Sequence, residues 1–234
     1  MKQNKNETSM KPLPHLIAGI PIRGAVFDLD GTVLDSMPIW TGAGSRYLRS
    51  KGIQPKPTLF AETKTMNMIQ AASFFQQEYH LHESVPVIIN EVNGMLMEFY
   101  RHEARPKPGV RSFLQQMALA GIPMCIATAT KEELVQAALR HTGLDRYFSK
   151  VFGCTEWNTS KNTSPYIFKV AQKFLGTPQH DTVVFEDAAH AVAMAKKGGF
   201  PVIAVADDSM QKERPAIRQT ADLFVDSFTA LQLQ

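Results

Sequence analysis

Several protein classes are excluded by what the chain has little of. Its 234 residues hold only two cysteines, Cys125 and Cys154, too few for a disulfide framework. Cys125 lies inside an apolar run and reads as packing. No apolar run comes near the roughly 20 residues that cross a bilayer. Residues 16–22 are too short for a secretion signal and are broken by Gly19 and Pro21. Charge of one sign is also scarce: the net value is +3, and lysine and arginine are spread along the whole length. Without a basic run interleaved with aromatics, nucleic acid is a poor fit as a partner. Repeats and low-complexity segments are absent as well. The expectation is a cytoplasmic protein that engages neither membrane nor nucleic acid.

What is present points to one stretch, Val26-Phe27-Asp28-Leu29-Asp30-Gly31-Thr32-Val33. A short apolar run ends in two carboxylates spaced two apart, and Gly31 then allows a sharp turn. Residues i and i+2 of a strand share a side, so Asp28 and Asp30 can face one site. Two anions so close repel unless a cation or a phosphate chemistry accounts for them. A calcium loop also contains Asp-x-Asp-Gly, but it needs a flanking helix and a glutamate at its twelfth position. Counting from Asp28, that position is Ile39, and the residues upstream read as strand. The bland alternative is a chance acidic turn.

The rest of the chain sorts by period. Residues 1–20 read as a loosely held tail. Residues 24–27 form a first strand. From Met37 the spacing turns helical: Trp40, Ala43 and Tyr47 share a face, and Gly52, Pro55 and Pro57 end it. Met68, Ala72, Phe75 and Tyr79 define a second helix, and Ile88, Val92, Met95 and Phe99 a third, both at 4-3-4 spacing. Pro106-Lys107-Pro108-Gly109 closes this helical insert. Beyond it, helices alternate with apolar strands at 122–128, 151–152, 182–185, 202–205 and 223–225. Thr130-Lys131-Glu132-Glu133 fits a capping box, and Gly143 fits the residue just past the helix end. Continuous apolar strands alternating with helices indicate an α/β fold, a doubly wound parallel sheet covered on both faces. The expected division is a tail (1–20), a Rossmann-like core (21–35 and 107–234) and a smaller all-helical cap (36–106).

In open α/β sheets, ligands bind beyond the carboxyl ends of the strands. Those ends carry Asp28 and Asp30, then Thr128 and Ala129, then the loop with Lys161, then Glu186 and Asp187. Hard oxygen donors such as Asp28 and Asp187 suit Mg2+. A phosphoryl group needs its oxygens neutralised, which suits Lys161, a metal and backbone amides. Each element alone has an ordinary explanation. A strand-end threonine is common, a loop lysine is usually solvated, and Glu-Asp before a helix often only complements its dipole. It is the order and the convergence that carry the argument.

In that order, Asp28-Leu29-Asp30-Gly31-Thr32, Thr128, Lys161 and Glu186-Asp187 resemble the four motifs of the haloacid dehalogenase superfamily. The helical insert is similar to the cap of its phosphatase and β-phosphoglucomutase-like branch. The resemblance implies a Mg2+-dependent phosphatase acting on a small phosphorylated metabolite through an aspartyl-phosphate. It makes Asp28 the nucleophile and Asp30 the acid that protonates the leaving oxygen and then the base that activates water. Thr128 and Lys161 would bind the phosphoryl oxygens. Asp28, Asp30 and Asp187 would hold the metal, with Glu186 at or just outside the ligand sphere. Gly31, Thr32, Trp40, Thr128 and Ala129 would line the substrate. Dehalogenases proper and phosphonatases usually lack the second aspartate that Asp30 supplies.

Some features depart from the pattern. Where the third motif commonly reads Lys-Pro-x-Pro-Asp, this chain has Lys161-Asn162-Thr163-Ser164-Pro165-Tyr166. Anchoring on Pro165 puts Asn162 at the lysine position, and Lys161 must reach from one residue earlier. Ala191 replaces a usual glycine in the fourth motif. At position 40 the mutases typically carry histidine, whereas several sugar-phosphate phosphatases of the branch carry tryptophan, as here. His80, His82 and His190 read as ordinary surface groups, and Arg46, Arg49, Lys64 and Arg101 as exposed charges of the cap. Two other readings stay open: a β-phosphoglucomutase-like phosphotransferase, and a non-catalytic phospholigand-binding member of the fold.

Overall fold

The computed structural model describes residues 13–63 and 66–234. Residues 1–12 of the expected tail, and Lys64, lie outside the described residues. The chain begins with an antiparallel hairpin, β1 (His15–Ile17) and β2 (Ile20–Ile22). The first core strand, β3 (Gly24–Phe27), follows. Four helices come next: α1 (Met37–Ser50), α2 (Leu59–Thr63), α3 (Met68–Glu78) and α4 (Val85–His102). The core then resumes with α5 (Val110–Leu119), β4 (Met124–Thr128), α6 (Glu132–Thr142) and β5 (Val151–Gly153). It closes with α7 (Tyr166–Leu175), β6 (Thr182–Glu186), α8 (Ala189–Lys197), β7 (Val202–Val205), α9 (Arg214–Thr220) and β8 (Leu223–Val225).

Strands β3 to β8 form a parallel sheet of order β5-β4-β3-β6-β7-β8. Strand β3 is therefore central, with β4 and β6 on its two sides. Alternation along it serves both faces of the sheet. Ala25 and Phe27 enter one apolar cluster, and Val26 enters the other. Phe27 stacks on Phe185 at 4.3 Å between ring centroids. All four β3 residues are buried, which is why the strand reads as an unbroken apolar run. With β3, β4 and β6 in parallel register, Asp28, Thr128 and Glu186 emerge at the same sheet edge.

The helical insert leaves and re-enters the core through two short segments that pair with each other. Leu34 bridges Pro106, and Lys107 N–H donates to the Val33 carbonyl at 2.9 Å. Inside the insert, Ile88, Val92, Leu96 and Tyr100 are the buried face of α4. The predicted face ran instead through Met95 and Phe99, which are only partly buried. Adjacent aromatics at 99 and 100 let either stripe satisfy a helical period, and packing chose the one ending in Tyr100. Helix α4 also packs on α6, so insert and core share one apolar cluster.

The expected tail is partly ordered. Ala18 and Gly19, both at positive φ, make a two-residue turn of the hairpin type. Leu16 then exchanges backbone hydrogen bonds with Gln234 at 3.0 and 2.9 Å. Its partner comes from the far end of the chain, which no local pattern reveals. Helices α2 and α9 and this hairpin are additional to the predicted set.

Lys107, in the return segment, clamps the hinge to the core. Its Nζ donates to the Gly31 carbonyl at 2.5 Å, the Ala206 carbonyl at 2.7 Å and Asp207 Oδ2 at 2.7 Å. Burial would raise the Asp207 carboxyl, but hydrogen bonds from Lys107 and Ser209 outweigh it and hold the group below its ordinary 3.8. A carboxyl lowered in the folded state adds stability above its unfolded pKa and loses it as the pH falls through the folded value. Asp207→Asn should therefore weaken the protein at neutral pH by about 2 kcal/mol and flatten its loss of stability below pH ~4. Urea melts across the acid range would show this, and an acid limb identical to wild type would contradict the clamp.

Candidate active site

The two aspartates of the first motif have different surroundings. Asp28, immediately after β3, is buried and faces Lys161, whose Nζ lies 2.5 Å from Asp28 Oδ1 and 2.6 Å from Glu186 Oε1. The loop after β5 thus seats Lys161 in the cluster, while Asn162 is exposed. Asp28, Glu186 and Asp187 each offer a carboxylate oxygen within 4.8 Å of the others. Burial, reinforced by Glu186 and Asp30 and opposed by Lys161, pushes the Asp28 carboxyl up to about 7. Burial and the neighbouring carboxylates also hold Asp187 well above its ordinary value. For Lys161, burial works against the charge, but Asp28 and Glu186 outweigh it and raise the amine. One lysine among three buried carboxylates leaves negative charge uncompensated, and their hard oxygens fit a divalent cation.

The supporting bonds separate these carboxylates by role. Both Glu186 oxygens are engaged: Oε1 by Lys161, and Oε2 by the backbone N–H groups of Asp187 and Ala188 at 3.0 and 3.2 Å. Asp187 Oδ1 accepts from the Thr32 hydroxyl at 2.8 Å. Thr32 is fully buried, and its hydroxyl orients Asp187. Gly31 has φ +82°, and a Cβ there would sit 2.5 Å from Asp187 Oδ2. Its N–H closes the turn on the Leu34 carbonyl, so Gly31 serves the turn and the close approach.

Asp30 stands apart from the metal-type group, although its motif position had suggested a place in it. Its carboxylate is taken by three hydroxyls: Ser36 Oγ at 2.6 Å and Tyr100 Oη at 2.5 Å on Oδ1, and Thr130 Oγ1 at 2.6 Å on Oδ2. None of these three was predicted as a site residue. Thr130 was expected to cap α6, but the capping position is Lys131, which makes no side-chain bond, and the Thr130 hydroxyl goes to Asp30. A tyrosine at the end of an otherwise aliphatic buried stripe was the one available signal for Tyr100.

The remaining predicted residues divide. Thr128 is buried at the end of β4, and its Oγ1 accepts the Thr130 N–H at 3.1 Å, while Ala129 is exposed beside it. Trp40 is half-buried and packs against the apolar cluster, and its indole N–H donates to Tyr100 Oη at 2.9 Å, so its one donor is taken. Arg46, Arg49, Arg101, His80, His82 and His190 are all exposed. No helix among the described residues is long and apolar enough to cross a membrane.

A family model described as haloacid dehalogenase-like hydrolase matches residues 25–205. The chain belongs to that family. It is 26% identical over 183 residues to a phosphoglycolate phosphatase of Neisseria meningitidis, covering 76% of this chain and 77% of the relative. It is 24% identical over 180 residues to a phosphorylated carbohydrates phosphatase of Thermotoga maritima, covering 76% and 82%. The fold is shared with a β-phosphoglucomutase of Clostridium difficile, at TM-score 0.67 and 18% identity, covering 90% of this chain and 93% of that one.

Proposed function

We propose that the chain is a Mg2+-dependent phosphatase that hydrolyses a small phosphate monoester, possessing a sugar or other metabolite as leaving group, through an aspartyl-phosphate on Asp28. The observation that carries the reading is the unequal setting of two aspartates on one loop. Asp28 sits in a lysine–carboxylate cluster suited to a phosphoryl group and a cation. Asp30 sits among hydroxyl donors that can follow a proton. Pairs of carboxyls pushed into different environments are how enzymes divide nucleophile from acid–base work. Attack by Asp28 Oδ on phosphorus breaks the ester P–O bond, and Asp30 gives its proton to the leaving oxygen. Water then attacks the acyl phosphate while Asp30 takes its proton, which restores Asp28 and releases phosphate. Lys161 would pair with the phosphoryl oxygens, and Thr128 would donate to them. Asp28 and Asp187 would hold the metal, with Glu186 fixing Lys161 and the Asp187 backbone behind them. Bound there, Mg2+ would supply charge stabilisation to the phosphoryl oxygens.

Because Asp28, Lys161, Glu186 and Asp187 are all buried, substrate entry requires the helical cap to lift, and its return would exclude water. Hydrolysis is favoured over mutase chemistry because position 40, where mutases of the branch typically carry histidine, holds Trp40, whose N–H is bonded to Tyr100. The test is to incubate the protein with Mg2+ and β-glucose 1-phosphate plus a trace of glucose 1,6-bisphosphate, alongside a panel of other phosphomonoesters. Chelator-sensitive release of inorganic phosphate from the panel is expected. Rapid formation of glucose 6-phosphate with little free phosphate would favour the mutase instead.

The metal assignment has a readout apart from turnover. A cation that binds only the folded cluster raises stability by mass action. Millimolar Mg2+ should raise the melting temperature of the wild type by several degrees and that of Asp187→Asn by far less. Equal shifts for both proteins would remove Asp187 from the metal site.

A further inference from the structure

The acid–base aspartate is held by the cap as well as by the core. Its three hydroxyl donors come from three different places: Ser36 at the entry to the cap, Thr130 beyond β4, and Tyr100 near the end of α4. Tyr100 is fully buried and is itself held by Trp40 of α1. We infer that Tyr100, oriented by Trp40, is a positioning residue that fixes the Asp30 carboxylate for proton transfer. The inference rests on the phosphatase reading for its kinetic consequence and on the bond chain alone for its structural one.

The direction of the bonds follows from the donor inventory. An indole N–H can only donate, so the phenol oxygen accepts from Trp40 at 2.9 Å. The phenol proton is then free to turn to Asp30 Oδ1, 2.5 Å away. Burial, together with the charge of Asp30, keeps the phenol well above its ordinary value, so the hydroxyl remains a donor. Tyr100 thus adds a donor from α4 to those of Ser36 and Thr130, and the three together fix where both carboxylate oxygens point. Small misplacements of a reacting group cost large factors in rate, so this contact bears on the chemistry without touching substrate.

The experiment compares wild type, Tyr100→Phe, Trp40→Phe and the double variant, all with saturating Mg2+ and one phosphomonoester. Tyr100→Phe removes a single oxygen and should lower kcat about tenfold to a hundredfold, with KM changed less than about threefold. Trp40→Phe should lower kcat by a smaller factor. In the Tyr100→Phe background it should lower kcat no further, because Trp40 acts through the phenol. Backbone amides in the last turns of α4 should exchange faster in Tyr100→Phe than in wild type, which reports the tie whether or not the protein is a phosphatase. The wild-type rate tests the phosphatase reading by itself, so the two readings fail separately. A kcat for Tyr100→Phe within about twofold of wild type, fully additive effects of the two substitutions, or unchanged exchange in α4 would each overturn the inference.

Discussion

Asp28→Asn is expected to abolish phosphate release, with a loss of at least about a thousandfold, or ~4 kcal/mol of transition-state stabilisation. An amide is too poor a nucleophile to form the acyl phosphate, and the enclosed site offers no other carboxylate equally placed. Asp30 is occupied by three hydroxyls, and Glu186 is bonded through both oxygens. The fold should survive the change. Lys161 keeps Glu186 as its partner, and removing one anion from a crowded buried cluster relieves repulsion. The metal-free variant should therefore melt no lower than wild type, which separates lost chemistry from lost structure. Near-wild-type turnover in a sample free of deamidation would overturn the nucleophile assignment.

The second large effect concerns Lys161. Lys161→Ala should reduce turnover by about two to three orders of magnitude, since it removes the side-chain cation that meets Asp28. Asn162→Ala should stay within about threefold of wild type, because Asn162 is exposed and the lysine is not. Saturating Mg2+ and a melting curve should accompany both assays, since without the lysine the carboxylates Asp28 and Glu186 lose their shared partner. The reverse ranking would mean that a different group neutralises the phosphoryl oxygens.

Much of the sheet was legible because buried parallel strands are written as apolar runs. Strand β3 occupies the residues predicted for it, and β4, β6 and β7 differ by two residues or fewer at an end. Motif order along those strand ends was enough to bring Asp28, Lys161, Glu186 and Asp187 together. What stayed hidden depended on choices between local and distant partners. Thr130 reads as a cap for α6, but the helix starts one residue too late for it, and the approach of β3 and β4 gives its hydroxyl to Asp30. Tyr100 and Phe99 are equivalent to a helical period, yet only one faces the core. The resemblance places Thr32 beside the substrate, but the partner of its hydroxyl, Asp187, is far along the chain. The β1–β2 hairpin is secured by the last residue, Gln234, so its own sequence carries little trace of its order.

The reach of Lys161 illustrates the same limit in the other direction. Spacing from Pro165 favoured Asn162, while chemistry favoured the lysine one residue earlier. The loop after β5 resolves the conflict by turning the longer side chain inward, to within 2.5 Å of Asp28. Backbone spacing alone was the weaker guide there, because a flexible four-carbon stem absorbs a shift of one residue.

The measurement that bears most directly on the account is to quench the protein in acid during turnover of a phosphomonoester with Mg2+ and to map phosphoryl adducts on its peptides by mass spectrometry. An acyl phosphate on the peptide containing Asp28, discharged on longer incubation and absent from Asp28→Asn, is the predicted result. An adduct on a different residue, or steady turnover by Asp28→Asn, would contradict it.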